Sequence, residues 1–329
     1  MYILFLFSVF LTYLYAFISG FTDAAQAIAS TIGSRSLSPI HAIIIASVLE
    51  IIGALTGTAV AITIGKGIVS LEMISFVTVP AALLGCMTWS LLTYKIGIPV
   101  SETHGLIGSL IGASLAIAKS IEVVKWSGLI PILLAIVLAP FLGFLFGYIL
   151  IKLVYFFFHS FSARKMKILF VNLQRSACAY FAFSHGRNDA QKPMGILAML
   201  LALYYGWKDV YVSNWIIISV GIVAGLGVAF GGWRIIKTLG MRITKLSPEQ
   251  GFVSDFSAGT VLQFASLLGI PVSTTHVDAS AVFGVGAARR IAGVRWDIVL
   301  EILISWILTL PATIIFGFIF ANILSLLII

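Results

Sequence analysis

Ile98–His104 reads IPVSETH and Ile270–His276 reads IPVSTTH, identical at six of seven positions and different only at Glu102 against Thr274. Proline lacks an amide N–H and has a fixed φ, so it ends one helix and can open another. Serine and threonine just after it are natural N-caps. The residues that follow, Gly105–Gly112 and Val277–Gly284, are small and helix-compatible. Each copy therefore reads as the tip of a broken hairpin. It offers backbone N–H groups and hydroxyls at the positive end of a helix dipole, a setting suited to an oxyanion. One copy alone reads as capping at a kink; two at matching places point to a binding site.

A second element is also repeated. SGFTDAAQ (Ser19–Gln26) faces HGRNDAQK (His185–Lys192), with Asp23 and Asp189 166 residues apart, while the two prolines, Pro99 and Pro271, are 172 apart. Each half thus runs acidic motif, helices, broken hairpin, helix. Interrupted apolar segments at corresponding places in two halves mark transporter binding sites. The expected organisation is a first transmembrane repeat over 1–158 with a hairpin of two half-helices near 98–118, a basic connector over 159–175, and a second repeat over 176–329 with a hairpin near 271–288.

The chain has 329 residues, 60% hydrophobic and 10% charged, with a mean hydropathy of +1.11. Soluble domains carry about 25% charged residues. Apolar stretches at about 2–20, 40–64, 73–94, 127–158, 176–203, 211–232, 250–269 and 297–328 are long enough for membrane helices. The fold class is an all-α polytopic membrane protein. The net charge of +8 does not argue for nucleic acid, because the basic residues collect in loops as the positive-inside rule expects. Arg164, Lys165, Lys167 and Arg175 form one cluster, Arg234, Lys237, Arg242 and Lys245 a second, and Arg289, Arg290 and Arg295 a smaller third. The first two are expected on the cytoplasmic side. Cys86 and Cys178 show neither metal-ligand spacing nor a disulfide framework. The apolar N-terminus lacks a basic flank and runs into the acidic motif, so it reads as a retained helix and not a signal peptide. No phosphate-binding G-x-x-x-x-G-K-[ST] loop is present, so no ATP-driven motor is expected. If every apolar stretch crosses once and each hairpin returns to its own side, the repeats come out parallel. An inverted arrangement needs an odd number of crossings per half, with the missing one hidden in 127–158 or in a broken first helix.

A carboxylate inside a membrane helix faces a cavity or a partner. Asp23 has Thr22 and Gln26 beside it, and Asp189 has Asn188, Gln191 and Lys192. If the helices break there, carboxylate, amide and backbone carbonyls form a Na⁺ site, or the carboxylate alone carries H⁺. The plainer alternative is an ion pair of Asp189 with Arg187 or Lys192. Those two cations are also candidate oxyanion partners. Glu50 and Asp255 each interrupt an apolar helix and are candidate functional acids. Asp297 and Glu301 read as interfacial. His104 and His276 are expected to hydrogen-bond their hairpins.

These motifs together resemble the sodium- or proton-coupled inorganic phosphate transporters, and the resemblance runs over essentially the whole chain. The acidic motifs are similar to that family's paired G-x-N-D-x-A-N signature. SHGRNDAQKPMGI, GLGVAFGGWRIIKTLGMRITKLSPEQGF and LGIPVSTTHVDASAVFGVGAARR resemble its bacterial low-affinity branch. The resemblance implies two inverted repeats with re-entrant hairpins, a homodimer, a prokaryotic inner membrane, no cofactor, and import of phosphate with Na⁺ or H⁺. It places the anion at Ser101, Thr103, Ser273, Thr274 and Thr275, with Lys192 nearby, and the cation at Asp23, Asn188 and Asp189, supported by Thr22, Gln26 and Gln191. Glu50, Asp255 and Glu102 are the supporting or proton-coupling acids. Thr22, Gln26 and Lys192 depart from the family's usual Asn or His, Asn and Asn. Glu102 departs most, standing where Ser or Thr is usual. A carboxylate there either points away from the anion, is protonated when substrate binds, or signals a metal–phosphate complex or another anion such as sulfate. An anion channel and an intramembrane Ser–His–Asp hydrolase are the rivals from other classes. The symmetric duplication argues against the second, since a triad needs one copy.

Overall fold

A computed structural model describes residues 2–238, 243 and 245–328; Arg242 of the second basic cluster lies outside the described residues. The chain is all-α. The first half comprises α1 (Tyr2–Gly33), α2 (Pro39–Ala54), α3 (Ala59–Lys66), α4 (Thr78–Ile96), α5 (Glu102–Ala118) and α6 (Trp126–Phe157). The second comprises α7 (Ala163–Asp189), α8 (Gln191–Tyr205), α9 (Asn214–Phe230), α10 (Trp233–Lys237), α11 (Pro248–Leu267), α12 (Thr274–Arg289) and α13 (Trp296–Ile328). Four helices, α1, α4, α6 and α13, are each long and apolar enough to cross a bilayer, and α2 with α3 makes a fifth candidate bent by 70°.

Packing is reciprocal between the halves. Helix α2 lies on α7 as α9 lies on α1; α5 lies on α13 as α12 lies on α6; α4 meets α1 and α13 as α11 meets α7 and α6. Two glycine pairs show how closely the copies agree. A Cβ on Gly20 would strike the carbonyl of Ala224, and one on Gly186 the carbonyl of Glu50, so α1 meets α9 and α7 meets α2 through the same small residue of the acidic motif. Gly97 and Gly269, with φ of +79° and +68°, turn the chain after α4 and α11 in a conformation that costs other residues a Cβ clash. Their carbonyls accept from Thr238 Oγ1 at 2.9 Å and Thr63 Oγ1 at 2.7 Å.

Three expectations change. The stretch 98–118 is not a pair of half-helices: α5 is one helix, almost wholly buried, and its antiparallel partner is α4, packed along it. The apolar run near 73–94 is therefore the first arm of the hairpin, as α11 is for α12. Next, 127–158 hides no extra crossing, because α6 is continuous. With α4 packed along α5, the other candidate spans of the first half are α1, α6 and the bent pair α2–α3. Finally, α1 runs through Asp23 without a break, and the only interruption at the second motif is Ala190, itself in helical conformation. The connector over 159–175 is mostly the first turns of α7.

Two apolar cores lie at opposite ends. One gathers Ile32, Phe170, Ile243, Leu246 and Ile298 around α12; the other gathers Leu11, Ile68, Val124, Leu200 and Ala321 around α5. Contacts at the ends fix which loops share a face. Arg175 Nε donates to Ser36 O at 3.0 Å, and the Arg295 amide donates to Ile243 O at 3.0 Å. The basic loops between α6 and α7, α10 and α11, and α12 and α13 thus gather at one end. At the other, Phe5 stacks on Tyr204, and the Ser70 amide donates to Val123 O.

Candidate functional site

Between the two cores lies a buried polar layer built where the hairpin tips meet the acidic motifs. Ser101 and Ser273 act as N-caps, their hydroxyls accepting from the amides of His104 (3.1 Å) and His276 (3.2 Å). Thr103 Oγ1 then donates to Val272 O, and Thr275 Oγ1 donates to Val100 O, both at 2.8 Å. Each tip is thereby tied to the other through corresponding residues. The imidazoles of His104 and His276 pack edge to face at 4.7 Å, and His276 stacks on Trp306 at 3.8 Å. His276 makes no ring hydrogen bond, so the expected bond to its hairpin is replaced by stacking.

The acidic motifs cross-link to the same threonines. Gln26 Nε2 donates to Asp23 Oδ1 (2.8 Å) and Thr275 Oγ1 (2.7 Å). At the corresponding place, Lys192 Nζ lies 2.8 Å from Asp189 Oδ2 and donates to Thr103 Oγ1 at 3.0 Å. Thr274 Oγ1 also donates to Asp189 Oδ2, at 3.1 Å. Glu102, its counterpart, turns toward α1 and α4, accepting from Thr22 Oγ1 at 2.9 Å and Ser90 Oγ at 2.7 Å, with Cys86 Sγ at 3.8 Å. All of these groups are buried. Four buried acceptors, Asp23 Oδ2, Gln26 Oε1, Asn188 Oδ1 and Asp189 Oδ1, are reached by no donor group, and the Asp23 and Asp189 carboxyls lie within hydrogen-bond reach of each other. Ligand atoms of Asp23, His185 and Asp189 lie within 4.8 Å of one another.

Several predicted residues sit elsewhere or carry other partners. Gln191 leaves the layer: its Oε1 accepts from the Ala61 amide at 3.1 Å and its Nε2 donates to Arg187 O at 2.6 Å, joining α8 to α3. Arg187 reaches Gln263 Oε1 at 2.9 Å and not the layer. Asn188 Nδ2 donates to Ser266 Oγ at 3.0 Å. Glu50 binds His185 Nδ1 at 2.9 Å, and His185 Nε2 stands 3.6 Å from Asp189. Asp255 belongs to a separate buried cluster, accepting from Ser30, Thr31 and Gln174.

Comparisons with known proteins identify the family. The model of the phosphate transporter family matches residues 19–317. This chain belongs to the phosphate transporter family. Among its relatives is a Bacillus subtilis protein named "Probable low-affinity inorganic phosphate transporter", 40% identical over 90% of this chain and 89% of the relative. A Rhizobium meliloti protein of the same name is also 40% identical, with the same coverage. A solved structure titled "The sodium-dependent phosphate transporter" superposes with a TM-score of 0.90 at 28% identity, covering 98% of this chain and 99% of that one. The protein is therefore an integral membrane transporter and not an enzyme.

His185 and Ser90 join the transporter's polar layer without being among the residues expected there from the sequence. His185 stands inside the quoted HGRNDAQK motif, opposite Ser19, which was a signal that it does different work. Ser90 carries no local signal, because only the packing of α4 on α5 brings it to Glu102.

Proposed function

We propose that this transporter imports inorganic phosphate with a monovalent cation, binding the anion between the two hairpin tips beside Lys192 and the cation between Asp23 and Asp189. The observation that carries this reading is the close approach of the buried Asp23 and Asp189 carboxylates, each with one oxygen that no donor reaches, beside the buried ammonium of Lys192. Orphaned acceptors cost free energy, and a cation among them removes that cost. Lys192 and the first N–H groups of α5 and α12, which have no acceptor within their own helices, supply the complementary anion donors. Amide oxygens such as Gln26 Oε1 and Asn188 Oδ1 coordinate Na⁺ but take no proton near neutral pH. They favour Na⁺ over H⁺, in line with the sodium-dependent protein of known structure. The alternative, H⁺, is favoured by Glu102, whose hydroxyl partners can turn from donors into acceptors when a carboxyl is protonated.

If α1, the bent pair α2–α3 and α6 cross while α4–α5 returns to its own side, the first half crosses an odd number of times, as inverted repeats with re-entrant hairpins require. Alternating access then follows from rocking of one repeat against the other around a fixed centre. The gathering of basic loops at one end supports that end as cytoplasmic, in a prokaryotic inner membrane. Uptake of labelled phosphate into proteoliposomes, under an imposed Na⁺ gradient, an imposed H⁺ gradient, or neither, tests the reading. Accumulation under the Na⁺ gradient is expected. Accumulation under the H⁺ gradient alone moves the coupling to protons. None in folded protein, with sulfate accumulating instead, overturns the choice of substrate.

A further inference from the structure

We propose that Asp189 is a built-in stand-in for the transported anion: its carboxylate holds Lys192 and the Thr274 hydroxyl until phosphate displaces it, and the displaced carboxylate then takes the coupling cation. The inference rests on the phosphate reading above and adds the step that links the two ligands.

Lys192 is the one Lys or Arg among the described residues that is buried throughout. Its ammonium is the strongest anion donor in the layer, yet it is engaged, 2.8 Å from Asp189 Oδ2. The same oxygen accepts from Thr274 at the tip of α12 (3.1 Å) and lies 3.6 Å from His185 Nε2. One carboxylate oxygen thus collects donors from α8 and a hairpin tip, with the His185 ring of α7 just beyond hydrogen-bond distance, the arrangement an oxygen of a tetrahedral oxyanion needs. Asp189 Oδ1, by contrast, is reached by no donor group, and the carboxyl lies against that of Asp23. The carboxylate is held by the oxygen that faces the anion donors and is unsatisfied at the other.

The first half lacks this device. Gln26 stands in for Lys192 and binds Asp23 through a neutral amide, and Glu102 stands in for Thr274. An exchange of charged partners is therefore possible only in the second half. One ammonium cannot neutralise both Asp189 and a phosphate. When phosphate takes Lys192, Asp189 becomes a buried carboxylate without a counter-ion, which costs several kcal/mol. A cation held between Asp189 and Asp23 removes that cost, and Asp189 is already within 4.8 Å of Asp23 and His185 ligand atoms. Phosphate without the cation leaves Asp189 stranded, and the cation without phosphate must compete with Lys192. Each ligand then raises the other's affinity by the same factor.

The test is equilibrium binding of inorganic phosphate to the purified full chain in lipid nanodiscs, in choline, in Na⁺, and at acidic and alkaline pH. In the wild-type protein the dissociation constant is expected to fall by about tenfold when the coupling cation is added, within the usual range of such couplings. Asp189→Asn offers Lys192 a neutral rival. It should bind phosphate about threefold or more tighter than wild type in choline, and lose most of its response to the cation. Wild-type dependence on the cation in Asp189→Asn, or weaker binding in choline, overturns the exchange while leaving the phosphate reading intact. Should Asp189→Asn fail to fold, Lys192→Gln, which copies the first half, gives a second readout. Its binding of Na⁺ without phosphate should be tighter than wild type, and equal or weaker binding overturns the proposal. A wild-type protein that binds no phosphate in any condition removes the functional reading itself, and the exchange with it.

Discussion

The two acidic motifs occupy corresponding places and do different chemistry. In the first half a neutral amide, Gln26, bridges Asp23 to Thr275; in the second an ammonium, Lys192, bridges Asp189 to Thr103. The first half puts a carboxyl, Glu102, where the second has the hydroxyl of Thr274. The second adds a Glu50–His185 pair, whose place in the first half is taken by Ser19 and Ala224. Duplication therefore fixes the positions, while point differences divide the charge. Identical halves would present the same potential at corresponding points. The asymmetric site carries its single ammonium on one side and its least compensated carboxyl, Asp23, on the other.

The comparison breaks most readily at Lys192. Replacing it by methionine should abolish phosphate uptake, by at least about 100-fold, and destabilise the fold by about 3–5 kcal/mol, because Asp189 is left buried without its partner. Uptake assays and thermal melting read the two effects. Near-normal uptake in a Lys192→Met protein would falsify the assignment of Lys192 to the anion.

The tips are compared next by Glu102→Thr, which makes the two heptapeptides identical. Both carboxyl oxygens are engaged by Thr22 and Ser90. The substitution should therefore lower stability by about 1–3 kcal/mol while leaving the preference for phosphate over sulfate within about threefold, a change of less than 1 kcal/mol. Competition by sulfate settles it: a tenfold gain for sulfate would put the carboxyl on the anion after all.

Gly20→Val and Gly186→Val probe the repeat itself. Each drives a side chain into a facing carbonyl, of Ala224 and Glu50, at a cost of about 1–3 kcal/mol. Similar drops in melting temperature are expected from both. A much larger loss at Gly186 would show that its backbone approach also positions the Glu50–His185 pair. The smallest effect is expected at Asp255→Asn. It lies outside the polar layer with Ser30, Thr31 and Gln174. Weakening those bonds should cost about 1 kcal/mol with little change in uptake, and loss of cation dependence would extend the working site to this cluster.

For a physical reason, hydropathy does not separate α4 from α5. A helix buried in protein and one facing lipid are equally apolar, so α4 looked like an ordinary crossing and α5 like a broken one. The length of each hairpin arm is set by packing: α5 rests on α4 and α13, and neither contact is periodic in sequence. Chain order puts Gln191 beside Asp189 and so among the expected cation ligands. On the helix it points away, toward α3.

The sequence by itself determined that the chain is a membrane-embedded helical protein, that it is a duplication, and which polar residues are held at corresponding places. Those are properties of composition and of chain order, and both can be read without coordinates. Only the tertiary structure decided which partner each polar group takes. Thr103 meets Val272, Thr275 meets Val100, and Lys192 meets Asp189 beside a hairpin tip from the far end of the chain. In a low-dielectric interior every polar group must find such a partner or a mobile ion. Apart from the neighbouring Lys192 and Asp189, the pairs depend on distances of a few ångströms between segments that the sequence separates by 85 to 175 residues.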